Sequence, residues 1–289
     1  MTAIEEADLK KILPSNGPSI QEVKKYLDKY KNEYIILKCG GRILSETELF
    51  NIFVKDVCLL KKLNFNPCVI HGGGTRITNK LNELNIKSNF IKGLRVTDSK
   101  IINIVEGVLI EFNKEIAKAF TNNSCKARSI TSKENNIIID VKADNKDLGF
   151  VGTPTKIKSK TLNQIAEANE IPIIAPLGLN SQNQVFNINA DTVAGSIAKE
   201  LKARRLLIVS DVEGVLDKDN NLISEINSSK ADKMINNEII TGGMIPKVNN
   251  CIDVASNGVR GVAIIDGRKP HSILFELLSD SGAGTLLRQ

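Results

Sequence analysis

Two short apolar runs that end directly in glycine constrain this chain more than any other feature. Tyr34-Ile-Ile-Leu-Lys38 leads through Cys39 into Gly40-Gly41, and Pro67-Cys-Val-Ile-His71 leads into Gly72-Gly73-Gly74. Short runs without polar alternation read as strands buried on both faces, which is how parallel sheets look in sequence. Between them, Glu46–Leu63 reads as a helix. The alternation returns with a helix over Asp98–Phe120, a strand at Ile171–Ala175, and a strand at Val185–Ile188 before a helix opening at Ala190. A strand at Leu206–Ser210, helices near Ser228–Asn236 and Met244–Ser256, and a strand at Val262–Ile265 complete it. This order predicts an α/β fold, a three-layer αβα sandwich around an open, mostly parallel central sheet. Asn136–Val141 and Phe150–Ile157 read as shorter strands of a lid or hairpin. Residues 1–17, with Pro14, Gly17 and Pro18, read as a loose arm, and Ser19 is placed to cap a helix running to about Asn32. The predicted organisation is an arm and helix over 1–31, then one domain over 32–289. Its two lobes cover about 32–177 and 178–289.

Composition removes several function classes. The net charge is +6, but most basic residues are lysines scattered along the chain. Nucleic-acid binding would cluster that charge with arginine and aromatics, and aromatics make up only 4%. The five cysteines are odd in number and contain no C-x-x-C pair, which argues against a disulfide framework or a zinc site. His71 and His271 are the only histidines, so no His-rich metal site can form. The acidic start (Glu5, Glu6, Asp8) is no secretory signal, and no apolar run reaches the ~18 residues of a membrane span. A cytoplasmic protein without nucleic-acid or membrane partners is expected.

Ligands of open α/β sheets bind at the carboxyl ends of strands. Glycines there let backbone N–H groups approach an anion, and the next helix N-terminus adds partial positive charge. Two such turns suggest a polyanion or two anionic ligands; tight turns that merely need glycine are the plainer alternative. No Gly-Lys dipeptide occurs, so there is no P-loop, and Thr75-Arg76-Ile77 breaks a dinucleotide fingerprint. Lys38 closes an apolar strand and therefore sits at the sheet edge. Lys247 follows Gly242-Gly243-Met244-Ile245-Pro246 at a helix start, where a lysine opposes the helix dipole. Asn187, Asn189 and Asp191 bring two amides and a carboxylate to another strand end. Helix capping is their simpler reading, ligand binding the functional one.

Taken in order, these segments resemble the amino-acid kinase family, and within it the N-acetylglutamate kinases. The resemblance runs from about residue 34 onward. It also takes in Gly93-Leu-Arg95-Val-Thr97, Gly149-Phe-Val-Gly152, Ser210-Asp-Val-Glu-Gly-Val215 and Gly284-Thr285. It implies transfer of the ATP γ-phosphoryl group, with Mg2+, to the γ-carboxylate of N-acetyl-L-glutamate, the second step of arginine biosynthesis. By the same resemblance, Lys38 and Lys247 stabilise the transferring group and Asp191 holds both. Gly40 and Gly41 cradle phosphate oxygens, while Gly73, Gly74, Arg95, Asn187 and Asn189 contact the acyl amino acid. Asp211, Val212, Gly214, Leu216 and Thr241 lie against the nucleotide. Cys39 departs from the bulky residue common at its position and is read as packing rather than redox control.

Arginine-inhibited members carry an N-terminal helix with a tyrosine twelve residues before the first lysine, the spacing of Tyr26 to Lys38. His271, Glu276, Gly282 and Gly284 resemble the rest of their arginine site. The resemblance implies arginine inhibition and a hexamer, a trimer of dimers, and leaves open a PII-type signalling partner. Rival readings are a kinase for carrier-bound α-aminoadipate or glutamate, a non-catalytic amino-acid sensor on the same scaffold, and a nucleotide-binding dehydrogenase.

Overall fold

The computed structural model describes residues 5–289; the first four residues of the expected arm lie outside the described residues. Eight strands form one mostly parallel sheet, in the order Glu225–Asn227, Gly284–Arg288, Val262–Asp266, Arg205–Ser210, Tyr34–Cys39, Asn66–His71, Ile171–Ile174, Ala127–Ile130. Asn66–His71 and Ala127–Ile130 run parallel to Ile171–Ile174, and Arg205–Ser210 runs parallel to Val262–Asp266. Gly284–Arg288 pairs antiparallel with Val262–Asp266 and parallel with Glu225–Asn227. The central strands are apolar along their middles because both faces are covered: Leu206, Leu207, Ile208 and Val209 are essentially unexposed. Among the described residues no helix is long and apolar enough to cross a membrane.

The chain divides into two compact units. One contains the chain up to Ile35, Arg42–Pro67 and Lys202–Gln289; the other contains Ile36–Gly41 and Cys68–Leu201. In the first, the helix Ile20–Tyr30 opens with a capping box. The Glu22 N–H donates to Ser19 Oγ, and the Ser19 N–H donates to the Glu22 carboxylate. Val23 and Tyr30 are buried on its inner face, with Tyr30 tilted against Phe65. The expected loose arm is partly wrong. Glu6–Ile12 is helical, with Leu9 fully buried and Lys24 paired to Glu6 at 2.7 Å. A single buried leucine among charged residues gives too weak a period to read in advance. The helix expected over Glu46–Leu63 is Thr47–Lys62, preceded by a separate helical turn, Arg42–Ser45.

In the second unit the long helix spans Ser99–Asn122. Asp98 caps it by accepting from the N–H groups of Lys100 and Ile101. Its Ile101, Val105 and Leu109 pack on Ile77 and Leu81 of the helix Gly74–Glu83. The expected hairpin is present, Ile138–Ala143 pairing antiparallel with Gly152–Ile157. Its approach segment threads between two others: the Phe150 N–H donates to the Thr97 carbonyl at 2.7 Å, and the Asn187 N–H donates to the Phe150 carbonyl at 2.9 Å. Gly149 permits this passage. It has φ +68, and a Cβ there would stand 2.3 Å from the Thr97 oxygen.

Candidate active site

Within the second unit, Lys38 interrupts an otherwise buried strand end, and its ammonium lies 3.0 Å from Asp191 Oδ1. The two side chains are 14% and 17% exposed, so each is largely withdrawn from water yet reachable. Asp191 is the second residue of the helix Ala190–Glu200. That helix start is held by Asn189, whose Oδ1 accepts from the N–H groups of Asp191 and Thr192. The capping reading is therefore correct for Asn189. The cap also fixes where Asp191 stands, and a carboxylate in the first turn is favoured by the helix dipole.

The two glycine turns meet. The Gly72 N–H donates to the Cys39 carbonyl at 2.7 Å, and a Cβ on Gly72 would lie 3.4 Å from Gly40 Cα. A Cβ on Gly74 would have no neighbour within 4 Å, so the backbone there faces open space. Arg95 is drawn to the same turn although its residue is only 6% exposed. Its guanidinium donates to the Gly74 carbonyl at 3.2 Å, to Thr78 Oγ1 at 2.8 Å and to Ser88 Oγ, and lies 4.7 Å from the Phe90 ring centroid. Burial lowers its pKa, but a guanidinium stays charged. Asn187 joins this group through Thr97: its Nδ2 donates to Thr97 Oγ1 at 3.3 Å, and that hydroxyl donates to the Arg95 carbonyl at 2.9 Å. Thr78, Ser88 and Phe90 stand outside every motif of the sequence, whereas Thr97 closes the Gly93–Thr97 segment without a role of its own there. Thr78 had a usable signal, one helical turn after Gly74. Cys39 is fully buried and burial pushes its thiol up to about 12, which suits packing rather than redox chemistry.

The first unit carries the other candidates. Lys247 is the fourth residue of the helix Met244–Ser256, with Thr241 just before the glycine pair that opens it. Asp211 and Val212 follow the strand Arg205–Ser210. Gly214, at φ +144, is followed by Val215, whose N–H donates to Thr285 Oγ1 at 2.8 Å, and Leu216 bridges to Leu222. The expected arginine-site residues lie in this unit too. Tyr26 donates to Asp280, a bond that pushes the phenol up to about 12. His271 Nδ1 lies 2.6 Å from Asp56. Glu276 is paired with Arg205 and accepts from the Ala283 N–H at 2.9 Å. A Cβ on Gly282 would stand 3.2 Å from the Glu276 carboxylate, and Gly284 opens the last strand.

Comparison with known proteins gives this geometry a context. The sequence profile of the amino acid kinase family matches residues 33–266. An acetylglutamate kinase of Pelagibacter ubique is 64% identical over 289 residues, covering 100% of both chains. An acetylglutamate kinase of Rhodopseudomonas palustris is 42% identical over 283 residues, covering 93% of this chain and 95% of that one. Among solved structures, an N-acetylglutamate synthase from Neisseria gonorrhoeae, complexed with coenzyme A and N-acetyl-glutamate, superposes with a TM-score of 0.83 at 21% identity. The match covers 93% of this chain but 62% of that one, so this chain spans less than two thirds of that synthase's length, and the likeness speaks for the fold.

Proposed function

The chain belongs to the amino acid kinase family, and from that premise we propose how its own residues divide the work of phosphorylating N-acetyl-L-glutamate. It is a kinase whose acceptor is acetylglutamate and whose donor is ATP. The γ-carboxylate of the acceptor has an ordinary pKa of about 4.3, so it is ionised at neutral pH and needs no general base. The obstacle is the approach of one anion to another. Phosphoryl transfer is accelerated chiefly by positioning and by neutralising the charge that builds on the transferring group.

The observation that carries the assignment is the Lys38–Asp191 pair at 3.0 Å beside two touching glycine turns. Asp191 holds the lysine in place, and the lysine supplies positive charge to the migrating phosphoryl group. Gly40 and Gly41 offer backbone N–H groups to phosphate oxygens. Gly73 and Gly74 contact the acceptor, Arg95 pairs with its α-carboxylate, and Asn187 and Asn189 bind its remaining polar groups. Lys247, Thr241, Asp211, Val212, Gly214 and Leu216 are assigned to the nucleotide, Lys247 as the second positive charge. Magnesium is proposed to arrive on the nucleotide phosphates, since Mg2+ keeps several waters and needs few protein ligands. Among the described residues no three His, Cys, Asp or Glu side chains cluster as a cage.

The test is acyl-phosphate formation from ATP, trapped with hydroxylamine, across N-acetylglutamate, glutamate, aspartate and aminoadipate. Turnover is expected with N-acetylglutamate. Turnover with free glutamate but not its acetylated form would overturn the assignment.

Arginine inhibition and a hexamer joined through the helix Ile20–Tyr30 are proposed alongside. Support comes from Tyr26 reaching Asp280 beside the helix that carries Glu276, a carboxylate already shown to hold a guanidinium, that of Arg205. Tyr26→Ala removes a ring stacked on Tyr30 but keeps the buried anchors of the helix, Val23 and Tyr30 themselves. It is expected to raise the arginine concentration for half-inhibition about tenfold with uninhibited activity unchanged, the size of one lost hydrogen bond to a charged partner. An unaltered arginine titration would contradict Tyr26's part in the site.

A further inference from the structure

His71 ends the strand Asn66–His71 with its side chain fully buried, and the chemistry above gives it no task. Both ring nitrogens are nonetheless engaged. Nδ1 lies 2.8 Å from the Gly72 carbonyl oxygen, and Nε2 lies 3.0 Å from Asn113 Nδ2. The partners decide the tautomer. A carbonyl oxygen only accepts, so Nδ1 carries the proton. The Asn113 amide is oriented by another obligatory acceptor, the Ile173 carbonyl, 2.9 Å from the same Nδ2. Nδ2 thus faces the ring, and Nε2 accepts. Ser129 completes the chain by donating to Asn113 Oδ1. Burial keeps the ring neutral, lowering its pKa to about 4, and a neutral imidazole has one donor and one acceptor, both used here.

This relay ends on the peptide between Gly72 and Gly73. The Gly72 N–H is held by Cys39 and its carbonyl by His71, so the residue is fixed on both sides. In a planar trans peptide the next N–H points opposite to the carbonyl. Fixing the Gly72 carbonyl toward the ring therefore turns the Gly73 N–H away from it. Three successive glycines cannot set this orientation themselves, because their backbone is the least restricted of all. Leu109 closes one side of the turn: a Cβ on Gly73 would lie 2.4 Å from it.

We propose that His71 is a positioning residue, whose Nδ1–H, held in that tautomer by Asn113 and Ser129, pins the Gly72 carbonyl and so aims the Gly73 N–H at an oxygen of the acyl amino acid. The inference rests on the reading of Gly73 as a substrate contact. Asparagine and glutamine separate the two ring nitrogens, because the asparagine Nδ2 falls near His Nδ1 and the glutamine Nε2 near His Nε2. His71→Asn keeps the donor toward Gly72, and His71→Gln does not. The expected result is a KM for N-acetylglutamate near wild type in His71→Asn and raised about tenfold in His71→Gln, with kcat and the KM for ATP little changed in both.

The tautomer is read independently, and without any folding risk, on wild-type protein labelled with 15N-histidine. With two histidines in the chain the spectrum holds two rings, and His71→Asn assigns them. Long-range 15N–1H correlations should show the Nδ1–H form for His71. An Nε2–H form would overturn the proposal outright. An Nδ1–H form with equal KM values in the asparagine and glutamine variants would overturn it too, by showing that the loop does not touch the substrate.

Discussion

Replacing Lys38 with alanine is expected to lower kcat about 100- to 1000-fold while leaving the KM for N-acetylglutamate nearly unchanged, the loss typical when one preorganised charge or donor is removed from a transition state. The split between the two constants follows from where the charge acts. Negative charge on the transferring phosphoryl group grows as the reaction proceeds, so an ammonium beside it matters most in the transition state. The variant has a second cost. Asp191 sits 3.0 Å from the lysine and only 17% exposed. Without Lys38 its carboxylate remains as an added negative charge where two anions must meet. Lys38→Arg should not restore the rate, because a planar fork cannot occupy the place of a compact ammonium between the glycine turn and Asp191. Steady-state kinetics with the hydroxylamine trap measures all of this, and wild-type turnover in Lys38→Ala would remove the lysine's assigned role.

Arg95→Ala should show the opposite pattern, with the KM for N-acetylglutamate raised about 10- to 100-fold and kcat much less affected, as expected for loss of charge-assisted hydrogen bonds made equally in ground and transition states. The guanidinium already holds Gly74, Thr78 and Ser88 and rests on Phe90, so its direction is fixed before any ligand arrives. That preorganisation is why one side chain can matter so much. Arg95→Lys should recover little, since an ammonium cannot serve the Gly74, Thr78 and Ser88 oxygens and a substrate carboxylate together. The KM for ATP serves as the control. If Arg95→Ala raised it as much as the acceptor's, the residue would be a general support of the fold rather than an acceptor contact.

How much of this was legible in the chain depends on the range of the interaction. Lys38 stood out because a charged residue closing an apolar run has few places to go but a sheet edge. Asn189 and Asp191 were legible as a helix start, and the cap is there. What the local pattern could not supply is that this start faces Lys38, because 152 residues of chain lie between the pair. Arg95 was marked by its neighbours in sequence, but its anchors Thr78 and Ser88 come from another helix and its connection. Asn113 carries a readable signal, an amide on the buried face of the helix Ser99–Asn122, where the period calls for an apolar residue. The strand order was beyond local reading as well. Nothing near Gly284–Arg288 announces that it enters the sheet antiparallel to Val262–Asp266. The helix Glu6–Ile12 escaped for a different reason, since a lone Leu9 sets no period.

The central claim is that Lys38, steadied by Asp191, lies against the phosphoryl group as it moves. A crystal structure of the wild-type protein with ADP, N-acetylglutamate and a tetrafluoroaluminate ion in place of that group tests it most directly. The account predicts the Lys38 ammonium donating to a fluoride while still paired with Asp191. A Lys38 side chain turned into solvent, with the fluorides met by other groups, would contradict it.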